Sequence, residues 1–242
     1  MALTRAGNRL VGLAMMAAVS TVIGSVVVAA ARTPAPPPPN PAPPAAAAAP
    51  AQVALPAKYV VLTFDDGPDP VYTPQVLDIL AKYDAKATFF EVGQKVTQHP
   101  ALTKRIHDAG HSVQNHTWTH ADLRKLSAAA LIRQLQSTDR SISAQTGVVP
   151  RCVRPPYGAM NSAVARHAKA LRKKLVIWDV DSRDWTKPGT AAIVKRVLAG
   201  VRNGSVILMH DGGGNRSQTV AALPAILKAL KANGYGFRTL TC

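Results

Sequence analysis

Acidic residues are scarce in this chain: 13 Asp and Glu stand against 29 Lys and Arg in 242 residues. Only Arg5, Arg9 and Arg32 of those bases, and no acid, precede Lys58, so 26 bases meet 13 acids from there on. Such a surplus disfavours a cationic partner and suits an anionic or neutral polymer. Aromatics are also few, at 5 %. Bases such as Lys82, Lys104, Arg124 and Lys195 are scattered with no aromatic ladder between them, so no nucleic acid is expected as a partner. Cysteine is limited to Cys152 and Cys242, which excludes zinc-finger spacing. In an exported chain the pair permits one disulfide; the alternative is two free thiols.

Apart from Arg32 between them, two N-terminal segments carry no charge. Leu10 to Ala31 is apolar and uncharged behind Arg5 and Arg9, and ends in three alanines. This predicts an export signal over residues 1–31, or a retained membrane anchor over 10–31, since the run is long enough to span a bilayer. Residues 32–57 are almost wholly Pro and Ala, a composition that favours extended polyproline geometry and builds no core, so a semi-rigid spacer is expected. The protein is then secreted or wall-associated, touching a membrane only through an uncleaved anchor. Residues 58–242 suffice for one domain.

In that domain apolar strands alternate with helical patterns. Tyr59 to Leu62, Lys86 to Phe90, His111 to Val113, Val148 to Val153, Leu175 to Trp178 and Ser205 to Met209 read as strands, with a short last one in Tyr235 to Leu240. Helices are expected to start at Thr73-Pro74, Ser127 and Asn161, by capping residues or a first-turn proline, and to occupy Ala191 to Leu198 and Ala225 to Lys231. Repeated strand–helix units argue a parallel sheet covered by helices, open or closed into a barrel.

The unusual polar residues sit where those strands end. Thr63-Phe64-Asp65-Asp66-Gly67-Pro68 closes the first, and because neighbouring residues on an extended backbone alternate faces, the two acids are expected to point different ways. One could then take a metal while the other handles a proton. His116 and His120, four apart, could meet one cation together with Asp66, leaving positions open for water and substrate. Thr117 after the first His rules out the zincin helix, which needs Glu there. His111 is read as packed or surface histidine and not as a further ligand. Arg154-Pro155-Pro156-Tyr157-Gly158, Asp181-Ser182-Arg183-Asp184-Trp185 and Leu208-Met209-His210 follow three more strands. In parallel α/β folds all these ends share one rim.

Taken in order, these five segments resemble the motifs of the polysaccharide deacetylases, the NodB-homology domain of carbohydrate esterase family four. The resemblance covers nearly all of residues 58–242 and shows no departure at a matching functional position. It implies an α/β fold, a distorted (β/α) barrel of about seven repeats in place of eight, and metal-dependent removal of acetyl groups from polysaccharide. Carried over, it implies Asp66, His116 and His120 as ligands of a divalent ion, usually zinc, with cobalt or manganese also able to serve. It further implies Asp65 as catalytic base, His210 as the acid that protonates the leaving amine, and Arg154 and Asp184 as their respective partners. The Tyr157 backbone N–H would face the oxyanion, and Trp185 and Leu208 would wall a slot for the acetyl methyl. The expected substrate is an N-acetylglucosamine polymer of peptidoglycan or chitin type, acted on by a monomer. Acetylxylan esterase activity on the same machinery and a non-catalytic wall-binding role are the alternatives. A Cys152–Cys242 bridge would tie the C-terminus across the barrel seam beside Arg154.

Overall fold

Strand β1, Tyr59–Asp65, shows how the barrel is specified by side-chain alternation in the computed structural model, which describes residues 58–242. Val60, Leu62 and Phe64 pack into the core beneath the helices, whereas Thr63 and Asp65 face the barrel interior, where both meet Arg154. The same period of two runs through β2 (Ala87–Glu91), where Ala87 and Phe89 join the outer core and Phe90 lies inside. Burial of such apolar side chains contributes roughly 1.5–3 kcal/mol each. Phe64 and Phe89 stack on adjacent strands at 5.2 Å.

Every strand pairing is parallel. The sheet runs β5 (Lys174–Leu175), β4 (Cys152–Val153), β3 (Ser112–Asn115), β2, β1, β7 (Val206–His210), β6 (Val180–Asp181), with β8 (Gly236–Phe237) beside the start of β1. Its two ends, β5 and β6, are consecutive in the chain. Val176 N still donates to Val153 O of β4, and Asp179 N already donates to Val206 O beside β7, so residues 177–178 cross the seam. The single strand expected over Leu175 to Trp178 is therefore two short strands, because the chain changes partner in its middle. The result is a curled parallel sheet of the distorted-barrel kind, with helices on its outer face.

The helices are α1 (Tyr72–Lys82), α2 (Gly93–Gln98), α3 (Pro100–Asp108), α4 (Ala128–Thr146), α5 (Ser162–Ala170), α6 (Thr190–Gly200) and α7 (Ser217–Ala232). Ser127 and Asn161 cap α4 and α5 by accepting from Ala130 N and Val164 N, and Gly147 ends α4 in the left-handed region. Thr73 does not cap α1; its hydroxyl donates to buried Asp211, and Asp69 accepts from Val71 N and Tyr72 N instead. Helix α7 begins eight residues before Ala225 and carries Pro224 inside. Its buried stripe of Thr219, Ala222, Leu223, Ile226 and Leu227 holds it together despite the missing N–H. The expected export segment and spacer lie outside the described residues.

Beneath the rim where the strands end, Phe90, Cys152 and Val176 cluster with Leu240 from the C-terminal tail. Leu240 N donates to Thr88 Oγ1, and Cys242 is bonded to Cys152 across 90 residues of sequence. The tail thus closes the interior of the barrel.

Candidate active site

At the end of β1 the backbone leaves the extended region: Asp66 has φ 73°. This corrects the expectation that Asp65 and Asp66 point to opposite faces. One left-handed residue cancels the alternation, and both carboxylates reach the same cavity, Asp65 Oδ2 at 3.7 Å and Asp66 Oδ1 at 3.4 Å from His116 Nε2. His120 Nε2 is 3.2 Å from the same Asp66 oxygen. Thr117, His120 and Tyr157 also have positive φ without being glycine, so backbone strain collects around this one point.

Asp66, His116 and His120 have one potential ligand atom each, all within 4.8 Å of one another. Two observations test whether the group fits a metal. Asp66 Oδ1 is buried with no hydrogen-bond partner, which is costly for a carboxylate unless a cation meets it. His116 Nδ1 lies 2.7 Å from Arg154 O and donates to it, which leaves the Nε2 lone pair directed at Asp66 and free to ligate. A carboxylate with two imidazoles is a suitable donor set for a divalent transition ion with open positions. Burial opposes charge on Asp66, but His116 and the other histidines hold its carboxyl well below the ordinary range. Burial also opposes charge on His116, yet the Asp65 and Asp66 carboxylates raise its pKa. His120 is lowered, by burial and by His116.

Two polar pairs flank this cluster. Arg154 is 0 % exposed; its Nη1 donates to Asp65 Oδ1 and to Thr63 Oγ1, both at 2.7 Å, while Nε and Nη2 reach Val176 O and Ile177 O at the seam. Its guanidinium lies 4.2 Å from the Phe90 ring centroid. Asp65 Oδ1 is thereby held and Oδ2 left to the cavity. Opposite, His210 Nδ1 donates to Asp184 Oδ1 at 2.7 Å, and Asp184 Oδ2 accepts from His210 N and from the Thr219 hydroxyl. Burial opposes a proton on His210, but the bond to Asp184 and its charge raise the pKa above the ordinary histidine value.

The cavity over these groups has a volume of about 920 Å³. Leu208 is a buried part of its wall, whereas Trp185 is half exposed at the rim. Tyr157 exposes most of its ring, which packs edge-on against His120 at 4.8 Å. In the turn after Pro155-Pro156, Gly158 N and Ala159 N donate to Pro155 O and Pro156 O, and Tyr157 N alone keeps no acceptor among the described residues. The structure thus brings together every residue singled out by the motifs. His111, by contrast, lies outside the cavity and accepts from Ala87 N; burial and Lys86 push its pKa down to about 4.

The family model described as polysaccharide deacetylase matches residues 52–176. The chain belongs to this family. Among curated relatives, a peptidoglycan-N-acetylglucosamine deacetylase of Bacillus cereus is 42 % identical over 186 residues, covering 76 % of this chain and 87 % of its own. A chitooligosaccharide deacetylase of Sinorhizobium fredii is 43 % identical over 195 residues, covering 76 % and 91 %. Among solved structures, a family 4 carbohydrate esterase from Streptomyces lividans in complex with acetate superimposes with a TM-score of 0.72 at 36 % identity, covering 77 % of this chain and 94 % of that one.

Several residues that shape this deacetylase-family site carry no local signal. Thr63 reads as one more strand residue and Thr219 as a helix residue, yet each is buried and bonded to a site side chain. Arg216 donates to Gly212 O and Gly213 O and stands 3.8 Å behind Asp66 Oδ2. A Cβ on Gly212 or Gly213 would collide with Asp66 itself. The Gly212 to Arg216 run was the available hint, since three successive glycines mark a close backbone approach.

Proposed function

We propose that this chain hydrolyses the N-acetyl groups of an N-acetylglucosamine-type polysaccharide, of peptidoglycan or chitin kind. The carrying observation is the placement of Asp65 and His210 at the ends of adjacent strands β1 and β7, each bonded to an oppositely charged partner, Arg154 and Asp184, around the Asp66, His116 and His120 cluster. Binding a sugar does not require a ligand triad with a separate base and acid. The Bacillus and Sinorhizobium relatives, named for acetylglucosamine and chitooligosaccharide, support the substrate class.

Asp66, His116 and His120 would hold the divalent ion, most readily zinc, which supplies Lewis-acid polarisation and a more acidic water. The carboxylate of Asp65, aimed by Arg154, takes a proton from the attacking water through Oδ2. As the new C–O bond forms, the Tyr157 N–H is free to donate to the carbonyl oxygen that gains charge. Asp184 keeps the His210 proton on Nδ1 and favours a second on Nε2; His210 gives that one to the sugar nitrogen as the C–N bond breaks. Acetate and a free amine result. Without the proton the leaving group would be an amide anion, too basic to depart.

The N-terminal composition supports export, with residues 1–31 as signal or anchor and 32–57 as the spacer that lets a monomeric catalytic domain, residues 58–242, reach the wall. Acetate release from peptidoglycan strands, chitooligosaccharides and acetylxylan, with and without chelator and with zinc added back, tests the reading. Release from the first two that a chelator abolishes and zinc restores is expected. Release from acetylxylan alone, or metal-independent release, would overturn it.

A further inference from the structure

Among the described residues, two lysines line the cavity with no acidic partner: Lys95 in the first turn of α2, and Lys187 in the turn after Trp185. The acids that share this lining are already engaged. Asp65 is paired with Arg154, Asp66 faces the histidines, and Asp181 accepts from Arg183 N. Sheet order places the lysines relative to the chemistry. Helix α2 follows β2 and the Lys187 turn follows β6, while β1 and β7, between those strands, carry Asp65 and His210. The segments that carry the two cavity-lining lysines therefore lie on opposite sides of the strands that bear Asp65 and His210.

We propose that Lys95 and Lys187 form flanking subsites for carboxylate groups on the sugars next to the one being deacetylated. The favoured substrate is then a glycan in which acetylglucosamine alternates with a sugar bearing a free carboxylate, as in peptidoglycan strands freed of their stem peptides, over a neutral homopolymer. This rests on the deacetylase reading and narrows it. An unpaired lysine on a cleft wall attracts an anion from solution at the cost of a flexible stem, so each contact is modest, screened by salt, and read mainly in KM. Two such contacts on opposite sides require a charge on each neighbouring sugar, which distinguishes an alternating acidic strand from a chain carrying an occasional acid.

The test uses the full chain loaded with zinc and three polymers: peptidoglycan glycan strands with free carboxylates, the same strands with those carboxylates amidated, and a chitooligosaccharide of matched length. Expected for the wild type is a kcat/KM lowered about threefold to tenfold by amidation, chiefly through KM, with the difference shrinking in high salt. The Lys95→Gln/Lys187→Gln double variant should lose that preference between acidic and amidated strands. Equal turnover of the two strands by the wild type, or a preference that survives in the double variant, overturns the proposal. Binding of the two strands, measured by calorimetry, reads the same preference without turnover. If no polymer releases acetate, the deacetylase reading fails, and the calorimetry still decides whether the lysines select carboxylate.

Discussion

Arg154 answers four acceptors at once, two of them side chains from β1 and two of them carbonyls at the barrel seam. Removing it strands the Asp65 carboxylate in a dry site, so Arg154→Met should cost about 3–5 kcal/mol in urea unfolding as well as abolishing turnover. Asp65→Asn is the complementary change: the ligands remain, so zinc stoichiometry should hold while kcat falls about 10²–10⁴-fold. Wild-type kcat in that variant would remove Asp65 from the mechanism. His210 permits a pH prediction. Its pKa is raised, the proposed mechanism uses it protonated, and activity should therefore fall as pH rises through that raised value. In Asp184→Asn the largest of the charges that raise it is gone while the burial that lowers it stays, so the falling limb of kcat against pH should move to lower pH. An unmoved limb would assign it to another group.

At the scale of elements, the site depends on where regular structure stops. β1 hands over to a left-handed Asp66, β3 to a loop containing left-handed Thr117 and His120, and β7 to the Gly212-Gly213 segment that lies against Asp66. Gly213 has φ 73° as well, and a side chain there would meet the Asp66 carboxylate. Gly213→Ala should therefore weaken zinc binding about 10–100-fold, as seen for groups that hold a ligand in place. Calorimetric titration measures that, and the melting temperature of the metal-free variant, unchanged within a few degrees, would show that the loss is local.

For the whole molecule, the Cys152–Cys242 bridge fixes the C-terminal tail beneath the site, with Leu240 packed on Phe90, Cys152 and Val176. Because it closes a loop of 90 residues, its loss through Cys242→Ser should lower stability by about 2–5 kcal/mol, measured by denaturant unfolding of the oxidised and variant proteins. Two buried acids set a further global property. Burial raises Glu91 to about 8 and Asp211 to about 7, above ordinary values of 4.5 and 3.8. Between its unfolded and its folded value each is therefore protonated when folded but ionised when unfolded. Their contribution is fully present below the unfolded values and is lost as pH rises through the folded ones, so stability should fall between about pH 4 and 8. Glu91→Gln should flatten that slope in a melting-temperature series across this range.

The order of the elements and the rim on which the polar residues gather were legible in the sequence, because both rest on local rules. Apolar runs halted by Asp-Gly-Pro or followed by His and Arg mark strand ends, and Ser127 and Asn161 mark helix starts by chemistry confined to a few residues. Local rules also misled. Alternation along an extended strand separated Asp65 from Asp66, α7 begins at Ser217 and not near Ala225, and the short helices α2 and α3, of six and nine residues, have no counterpart in the expected elements. Only the folded chain decides that both acids share a cavity, that Arg154 spans from β1 to the seam, and that Thr219 and Arg216 stand behind site carboxylates. Those relations join residues far apart in sequence, and they exist because curling the sheet brings its inward positions to one axis, a property of the curled sheet that no single segment carries.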